Sequence, residues 1–421
     1  MKKIKLKKNI LVSSGYKNIH INNQAYELQK TNKLFSIISG YIPKSKYLKI
    51  LKISIFSKLT KLQRIKERKN NIKDTNIINF ILGEILFNFA LILRQKNLVT
   101  LSFFDKLTIF CLNIYSNFAK KIIKNHHKHI KFYHFRSGYG GNSVKYAKTK
   151  NIYTICDHTI AHPDVIKYMI KNKGKFPNKR IVYKKDWWQL VKDDLLIADC
   201  ILVNSNFVKK TLVHMGIKKK IDVIYTGVSK FFETQYKFIK NINKKKIILY
   251  AGGITKRKGL NDLQKAFKKI DIDNFQFRIA GQISNYSRKE FSYLLSKNNV
   301  KYLGNLNSAQ LKNEYKKADI FLFPSLVEGS AKVIFEAMAA GCAIITTPNS
   351  GSIVKNKING IIIQPGEPNE IIKSIKILIN NESLLNKISK NNIKTISNYY
   401  RQSSYGVSLN KFYDKLNEQS F

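Results

Sequence analysis

Two glutamates, Glu328 and Glu336, flank seven mostly small or apolar residues in the stretch PSLVEGSAKVIFEAM, residues 324–338. Glu336 lies in a run of apolar residues, and a helix that is apolar nearly all round is typically buried. A buried carboxylate needs a partner, because an unpaired charge is costly to remove from water. We therefore expect Glu336 to bind a polar group; the competing interpretation is two unrelated surface acids.

The elements around the two glutamates predict where they lie. The runs IFLFPS (320–325) and GCAIITTP (341–348) are short and apolar, as expected of strands buried on both faces of a parallel sheet. A helix predicted from near Ser330 connects them, which places Glu328 in the loop at the carboxyl end of the first strand and Glu336 on the helix. Ligands of open α/β sheets bind at that end of the strands.

The helix start and the two carboxylates predict a composite ligand. The backbone amides of Ser330, Ala331 and Lys332 follow the permissive residue Gly329, and amides at a helix start bind anions. A carboxylate accepts hydrogen bonds from neighbouring sugar hydroxyls. Sugar, phosphate and sugar parts together describe a nucleotide sugar.

A second motif, GGITKRKG at residues 252–259, follows another predicted strand. A glycine turn at this position lets the backbone approach a phosphate. Arg257 and Lys258 would place positive charge on a departing diphosphate, and fixed cations stabilise such a leaving group efficiently. The alternative is that both are solvated basic side chains on a loop.

The composition limits the classes of partner. A chain of 421 residues predicts two or three domains, and a hydrophobic fraction of 44% is compatible with a large core. The net charge of +50 comes from lysines spread along the whole chain, without a nucleic-acid recognition motif, so we expect no nucleic-acid partner. Attraction to an anionic membrane surface explains the charge better than nucleic-acid binding does. A bias toward AT-rich codons, without selection for binding, is the alternative.

The cysteines carry no metal or disulfide pattern. They are scattered, without C-x-x-C spacing, at Cys111, Cys156, Cys200 and Cys342. This usage predicts a reducing, cytoplasmic setting and neither a zinc site nor a disulfide framework.

Two apolar segments resemble membrane or targeting signals only in part. The start, MKKIKLKKNILVSS, predicts a first strand rather than a secretory signal, because its apolar run is very short. The longest apolar region, residues 77–93, is interrupted by Asn79, Glu84 and Asn88 and falls short of a membrane span. We favour a helix in the core for this region, with an interfacial helix as the alternative.

Alternating strands and helices predict two doubly wound parallel-sheet domains of the α/β class. The predicted strands are residues 10–14, 131–135, 152–156, 200–205 and 222–227, then 247–252, 275–281, 300–305, 320–325 and 343–348. A polar segment at 236–246 separates the two groups. We predict a Rossmann-like acceptor-binding domain at 1–235, a Rossmann-like nucleotide-sugar-binding domain at 245–395, and a C-terminal helix at 396–421 that packs back toward the first domain.

Three stretches carry a resemblance to a known family. VEGSAKVIFEAMAAGCAIITT (327–347) resembles the E-x7-E signature of family 4 glycosyltransferases, and ILYAGGITKRKGL (248–260) resembles their glycine turn with its K-G segment. The stretch from 198 to 228 resembles the end of their N-terminal domain. The resemblance implies a GT-B fold, retaining sugar transfer from a nucleotide sugar, and no obligatory metal or cofactor.

The resemblance also implies roles for individual residues. Glu336 would bind the ribose hydroxyls, while Glu328 would lie at the donor sugar and Lys258 at the leaving diphosphate. Many members have an arginine where this chain has Gly253, and Arg257 would supply the missing charge. The donor-binding set implied in this way is Gly253, Arg257, Lys258, Gly329, Ser330, Ala331, Lys332 and Glu336.

The loop CDHTIAHPDV, residues 156–165, holds the third catalytic candidate. Members of the family carry a histidine near this place that faces the donor sugar, and His162, in its A-H-P context, matches it better than His158. An ordinary surface loop is the alternative for each histidine.

The residues and the resemblance together imply a cytoplasmic, retaining hexosyltransferase; whether it also binds the inner face of the membrane is left open at this point. Its donor would be a nucleotide diphosphate sugar, its acceptor a saccharide or polyprenyl-linked saccharide, and its setting surface polysaccharide assembly. A nucleotide-sugar epimerase of GT-B architecture is one alternative. A non-catalytic binder of nucleotide sugars or nucleic acid is the other.

Overall fold

The computed structural model of the chain contains two parallel β-sheets. The structure describes residues 8–17, 20–45, 68–69, 71–233, 245–270, 274–283 and 285–419, without the side chains of 285–287. The basic stretch 1–7, most of the lysine-rich stretch 44–52 and most of the predicted linker at 236–246 lie outside these residues.

The first sheet has seven strands in the order β3-β2-β1-β4-β5-β6-β7, and every recorded pair is parallel. Its strands are β1 (Ile10–Ser13), β2 (Leu34–Ser39), β3 (Ile77–Asn79), β4 (Phe132–Arg136), β5 (Tyr153–His158), β6 (Cys200–Val203) and β7 (Lys220–Val223). The helices in this part are α1 (His20–Lys30), α2 (Ile81–Gln95), α3 (Leu101–His126), α4 (Gly141–Thr149), α5 (Pro163–Lys171), α6 (Gln189–Ile197) and α7 (Asn206–His214).

The second sheet has six parallel strands in the order β10-β9-β8-β11-β12-β13. Its strands are β8 (Lys246–Ala251), β9 (Phe275–Ala280), β10 (Val300–Gly304), β11 (Ile320–Phe323), β12 (Ala343–Thr346) and β13 (Gly360–Ile362). The helices that follow in chain order are α8 (Leu260–Lys269), α9 (Asn285–Glu290), α10 (Ser292–Leu295), α11 (Ser308–Lys317), α12 (Lys332–Ala339), α13 (Pro368–Asn380), α14 (Glu382–Tyr399) and α15 (Gln402–Gln419).

The central strands are buried because helices cover both faces of each sheet. All residues of β11 and β12 are buried, as their unbroken apolar sequences predict. In both sheets the strand order reverses between the first and fourth strands, at β1/β4 and at β8/β11. The crevice at such a reversal is where doubly wound sheets bind ligands.

The last helix, α15, returns to the first sheet. The Tyr413 hydroxyl lies 2.6 Å from Nδ1 of the buried His134 on β4. Tyr405, Leu409 and Phe412 of the same helix belong to the buried cluster that includes residues of β1 and β2. The exact domain boundaries remain predictions, but the contacts of α15 join the two halves of the chain.

The sequence predictions for the strands are largely confirmed, with three omissions. The strand expected at 222–227 lies earlier, at Lys220–Val223, and the strands β2, β3 and β13 were not predicted. Two of these, β3 and β13, have only three residues, which is too short to show an alternating pattern.

The expectation of a core helix at 77–93 is wrong. Residues 77–79 form strand β3, and the helix α2 that follows exposes several large apolar side chains, among them Leu82, Ile85 and Phe89. Apolar composition alone did not reveal that only one side of the helix is covered. Within the described residues, no helix combines the length and apolar character needed to cross a membrane.

The two sheets meet through a close contact at Gly329, in the loop between β11 and α12. A Cβ atom built on Gly329 would lie 1.8 Å from the carbonyl oxygen of Thr159, which follows β5. The Ser205 hydroxyl donates to the Gly329 carbonyl at 2.6 Å, and the Asn349 side-chain amide donates to the Gly174 carbonyl at 2.7 Å. The backbone of the Glu328 loop is therefore held directly against the first half of the chain.

We predict that Gly329→Ala opens the cleft. The added methyl group cannot coexist with the Thr159 carbonyl, and overpacking of this kind costs typically about 1–3 kcal/mol. The control is Gly253→Ala, since a Cβ atom at Gly253 meets nothing within 4 Å. Small-angle X-ray scattering should give a larger radius of gyration for Gly329→Ala alone; identical scattering and melting temperatures for both variants would contradict this contact.

Candidate active site

Three charged side chains meet at the strand reversal of the second sheet. Arg257 and Lys258 end the turn after β8, in the short 3-10 helix Lys256–Lys258, and Glu328 lies in the loop after β11. Oε1 of Glu328 accepts from Nη1 of Arg257 at 2.7 Å and forms an ion pair with the Lys258 ammonium. The Ser325 hydroxyl donates to the same oxygen at 3.1 Å. Because β8 and β11 are neighbours, residues that are far apart in sequence form one cluster.

Burial makes this cluster electrostatically strong. The Lys258 ammonium lies 4.9 Å from the centre of the Phe323 ring, and desolvation lowers the pKa of Lys258 while Glu328 opposes the shift. Arg257 is the most accessible of the three, with 34% of its side chain exposed against 12% for Glu328. Because two cations pair with a single carboxylate, the cluster keeps a net positive charge, which can attract an anionic ligand. Neither cation is the solvated loop residue of the alternative interpretation.

Glu336 lies on α12 and has the partner that its setting required. The Tyr315 hydroxyl of α11 donates to Oε2 of Glu336 at 3.1 Å. Desolvation raises the pKa of Glu336 to about 7, against the opposing effects of Tyr315 and Lys332. The carboxyl therefore titrates near neutral pH.

The expectation that α12 is buried on all sides is only partly right. The helix begins at Lys332 rather than near Ser330, and Lys332 is exposed while Glu336 is partly exposed. These two residues are four positions apart, so they share the side of α12 that is not packed in the core. Glu336 is thus accessible to a ligand.

The loop before α12 offers fewer free amides than the sequence predicts. The Ala331 amide already donates to the Ser350 carbonyl at 3.1 Å. The Ser330 hydroxyl is buried and has no hydrogen-bond partner among the described residues. Gly253 is exposed, and a Cβ atom built on it would meet nothing within 4 Å, so there is room for a ligand phosphate beside it.

His162 is a buried helix cap. Its Nδ1 accepts from the Asp164 amide at 3.3 Å at the start of α5, and burial lowers the pKa of His162 to about 4. A neutral ring whose Nδ1 is an acceptor carries its proton on Nε2, which leaves Nε2 as a donor. His158 is also buried, and burial lowers its pKa to about 3. The alternative interpretation placed each histidine on an ordinary surface loop. Because both side chains are buried, that interpretation is wrong.

Several contributors were not predicted. Tyr315, the partner of Glu336, and Ser325, which donates to Glu328, come from other segments, and neither belongs to a recognisable motif. The glycine-rich stretch at 137–143 turns the chain from β4 into α4. Its amides at Gly138, Gly140 and Gly141 all donate to the buried Asp194 carboxylate.

A groove of about 930 Å³ also lies between the two halves of the chain. It contains none of the predicted site residues. Its walls include aromatic and basic side chains from both halves, among them Phe176, Phe207, Lys210, Tyr225, Lys355 and Tyr400.

The fold places the chain in a structural class. Solved structures that superpose on the whole chain include sucrose-phosphate synthase from Thermosynechococcus elongatus, with a TM-score of 0.65, 15% identity and coverage of 98% of this chain and 100% of that one. Anabaena HepE in complex with UDP gives a TM-score of 0.64 at 13% identity, covering 97% of this chain and 100% of that one. The fold is therefore GT-B, as expected.

A family model matches much of the second half of the chain. Residues 232–395 match the family model of glycosyl transferases group 1. The matched part of the chain contains the charged cluster and Glu336.

Curated relatives match parts of the chain. An uncharacterized glycosyltransferase of Methanocaldococcus jannaschii is 32% identical over 36% of this chain and 43% of its own length. The capsular polysaccharide biosynthesis glycosyltransferase CapM of Staphylococcus aureus is 28% identical over 54% of this chain and 64% of its own. N,N'-diacetylbacillosaminyl-diphospho-undecaprenol alpha-1,3-N-acetylgalactosaminyltransferase of Campylobacter jejuni is 28% identical over 45% and 52%. Each alignment spans less than two thirds of the relative.

We predict that nucleotide affinity rises with pH through the titration of Glu336. Its pKa of about 7 makes the carboxylate scarce at pH 6 and dominant at pH 8, and the ionised form is the stronger acceptor for ribose hydroxyls. Glu336→Gln should bind a nucleoside diphosphate about tenfold to a hundredfold more weakly at pH 8, the equivalent of about 1.5–3 kcal/mol, and lose the pH dependence.

Calorimetry at pH 6, 7 and 8 measures this effect. Glu418→Gln, at an exposed position on α15, is the control. Tyr315→Phe removes a hydrogen bond to the carboxylate and should move the step to higher pH. Equal affinity and equal pH profiles for the wild-type protein and Glu336→Gln would rule out the ribose role.

Proposed function

We propose that this chain is a retaining glycosyltransferase of family 4. It transfers a hexose from a nucleotide diphosphate sugar to a saccharide or lipid-linked acceptor, and it requires neither a metal nor a cofactor. The observation that carries the proposal is the cluster of Arg257, Lys258 and Glu328 at the strand reversal, facing the first sheet. The group 1 domain match and the GT-B fold support the same reaction class.

The leaving group determines what the cluster must do. As the bond between sugar and diphosphate breaks, negative charge grows on the diphosphate, and cations already held in place stabilise it without reorganising. Arg257 and Lys258 take this role, and the ligand competes with Glu328 for both of them. Once released from its ion pairs, Glu328 accepts hydrogen bonds from hydroxyls of the donor sugar.

The remaining contacts orient the donor. Glu336 binds the ribose hydroxyls. The phosphates are accommodated by the space beside Gly253 and by the Ser330 hydroxyl, which has no hydrogen-bond partner within the described part of the chain. On the opposite side of the cleft, His162 offers a proton on Nε2 to a hydroxyl of the transferred sugar. Because the ring is neutral at physiological pH, it acts as a hydrogen-bond donor and not as a fixed charge.

The named relatives support an acceptor in cell-surface glycan assembly. One is named for capsular polysaccharide biosynthesis and another for a diphospho-undecaprenol acceptor. We extend these properties to this chain as part of the proposal: its product enters a surface polysaccharide such as capsule or lipopolysaccharide, made on the cytoplasmic side of a membrane. An epimerase of GT-B architecture, or a nucleotide-sugar binder without turnover, are the competing functions.

Donor hydrolysis distinguishes the three functions. The protein should be incubated with UDP-, GDP- and ADP-sugars without acceptor, and the products separated by chromatography. A transferase should release nucleoside diphosphate and free sugar slowly from one donor class. An epimerase would convert the sugar while the nucleotide stays attached, and a binder would leave every donor intact.

We predict that Lys258→Ala lowers the rate of donor hydrolysis by about a hundredfold or more, because one electrostatic group at a developing charge is worth that much. The matched control is Lys256→Ala, which removes an exposed lysine of the same turn that pairs with Glu290 at 2.9 Å. The control should keep nearly full rate. Equal losses in both variants would show that general charge, and not the position of Lys258, matters.

A further inference from the structure

We propose that the hairpin of α2 and α3 is a docking surface for an anionic lipid bilayer and inserts apolar side chains into it. The inference rests on the proposed function in one respect, since it explains how a lipid-linked acceptor reaches the cleft. The docking itself does not require transferase activity.

The hairpin exposes a concentration of large apolar side chains. Those on α2 are Ile81, Leu82, Ile85, Phe89 and Ile92, and those on the connection and α3 are Leu98, Leu101, Phe103 and Phe110. Each is between 47% and 65% exposed. Single exposed apolar residues are ordinary on protein surfaces, whereas a contiguous group marks an interaction site.

The exposed residues of α2 follow the period of a helix face. Positions 82, 85, 89 and 92 are spaced by three or four residues, so they line one side of the helix. The opposite side holds Glu84, whose carboxylate pairs with Arg68 at 2.7 Å, and the buried Ala90. The helix is thus fixed to the domain by one face and leaves the apolar face without cover from the described residues.

The charges around the apolar face select the partner. Arg94, Lys96 and Lys106 lie in the same hairpin, where the acid Glu84 is already paired with Arg68. The other acid, Asp105, interacts electrostatically with Lys167 and with Asp186, which is itself 2.8 Å from Lys167. Basic residues beside an exposed apolar face match a bilayer that contains anionic lipids.

The segment around Asp186, which interacts electrostatically with Asp105 of α3, also exposes apolar and basic side chains. Val182 is largely exposed, and Lys184 and Lys185 are exposed beside it. Trp187 and Trp188 stack on each other at 4.3 Å and are partly buried. Tryptophan is enriched where proteins meet the headgroup region of membranes.

The net charge argues against a second copy of the chain as the partner that covers the apolar face of the hairpin. Each copy carries a formal charge of +50, so pairing two basic faces brings like charges together. A bilayer with anionic lipids satisfies both the apolar face and the charge.

The position of the hairpin connects the surface to the cleft. Helix α2 begins at Ile81, directly after β3 ends at Asn79, which is at the carboxyl edge of the first sheet. A Cβ atom on Gly83 would lie 2.4 Å from the hydroxyl of Tyr16, which follows β1 at the same edge. The start of the apolar face therefore borders the edge of the sheet where ligands of such folds bind. Docking there brings a membrane-held acceptor to that edge.

The test is co-sedimentation of the full chain with phosphatidylcholine vesicles, with and without phosphatidylglycerol, at 0.15 M and 1 M NaCl. The test variant combines Leu82→Ser, Ile85→Ser and Phe89→Ser. The matched control combines Val213→Ser, Ile358→Ser and Val407→Ser, three exposed apolar positions on other elements. Circular dichroism and melting temperature establish that both variants are folded.

We expect wild type and control to bind anionic vesicles and to keep part of that binding at 1 M NaCl. The Debye length is then about 3 Å, so surface electrostatics is largely screened while apolar insertion remains. The test variant should bind about tenfold or more weakly at 0.15 M and be released at 1 M, because its attachment rests on charge alone.

Three results would overturn the proposal. One is that wild type and test variant bind the vesicles equally, and another is that the wild type does not bind at all. The third is a wild-type dimer in analytical ultracentrifugation that the test variant converts to monomer, which would assign the face to a second copy. Vesicle binding is measured without donor or acceptor, so failure of the transferase proposal, read from donor hydrolysis, leaves this outcome unaffected.

Discussion

The Glu328 loop is the point on which the two halves of the molecule depend. On one side, the Glu328 carboxylate neutralises part of the charge of Arg257 and Lys258. On the other, the Gly329 backbone touches Thr159 and accepts a hydrogen bond from Ser205. A side chain at position 329 or a missing carboxylate at 328 would disturb the charge cluster and the contact between the sheets together. The Glu328 carboxylate holds both cations in position before any ligand binds. When a diphosphate displaces the carboxylate, the cations therefore need little reorganisation.

This arrangement follows from the topology. In each sheet the strand order reverses between the first and fourth strands, so the chain leaves a crevice where the connections run to opposite faces. The glycine turn after β8 and the loop after β11 border the crevice of the second sheet, and the loop after β5 approaches it from the first. The return of α15 to His134 and the first sheet links the two halves a second time. The cleft is therefore a product of chain connectivity, and the side chains only refine it.

The local features of the site were predictable, while the features that depend on distant segments were not. The spacing of Glu328 and Glu336 and the basic turn at Arg257 and Lys258 are visible in short stretches, because strand, loop and helix are consecutive. Tyr315 belongs to the preceding helix, and only packing brings its hydroxyl to Glu336. The exposure of α2 was also not predicted, because it depends on the packing of other segments. Its composition is that of a core helix, and whether a second layer covers it is a property of the whole fold.

The most direct measurement is a crystal structure with a bound nucleoside diphosphate, solved for whichever base the protein binds. The account places the diphosphate oxygens within about 3 Å of the Arg257 and Lys258 side chains and the ribose hydroxyls at the same distance from Glu336. It also requires that the ion pairs of Glu328 with the two cations be displaced. A nucleotide found in the groove lined by Phe207, Tyr225 and Tyr400, with the Glu328 cluster unchanged, would contradict the account.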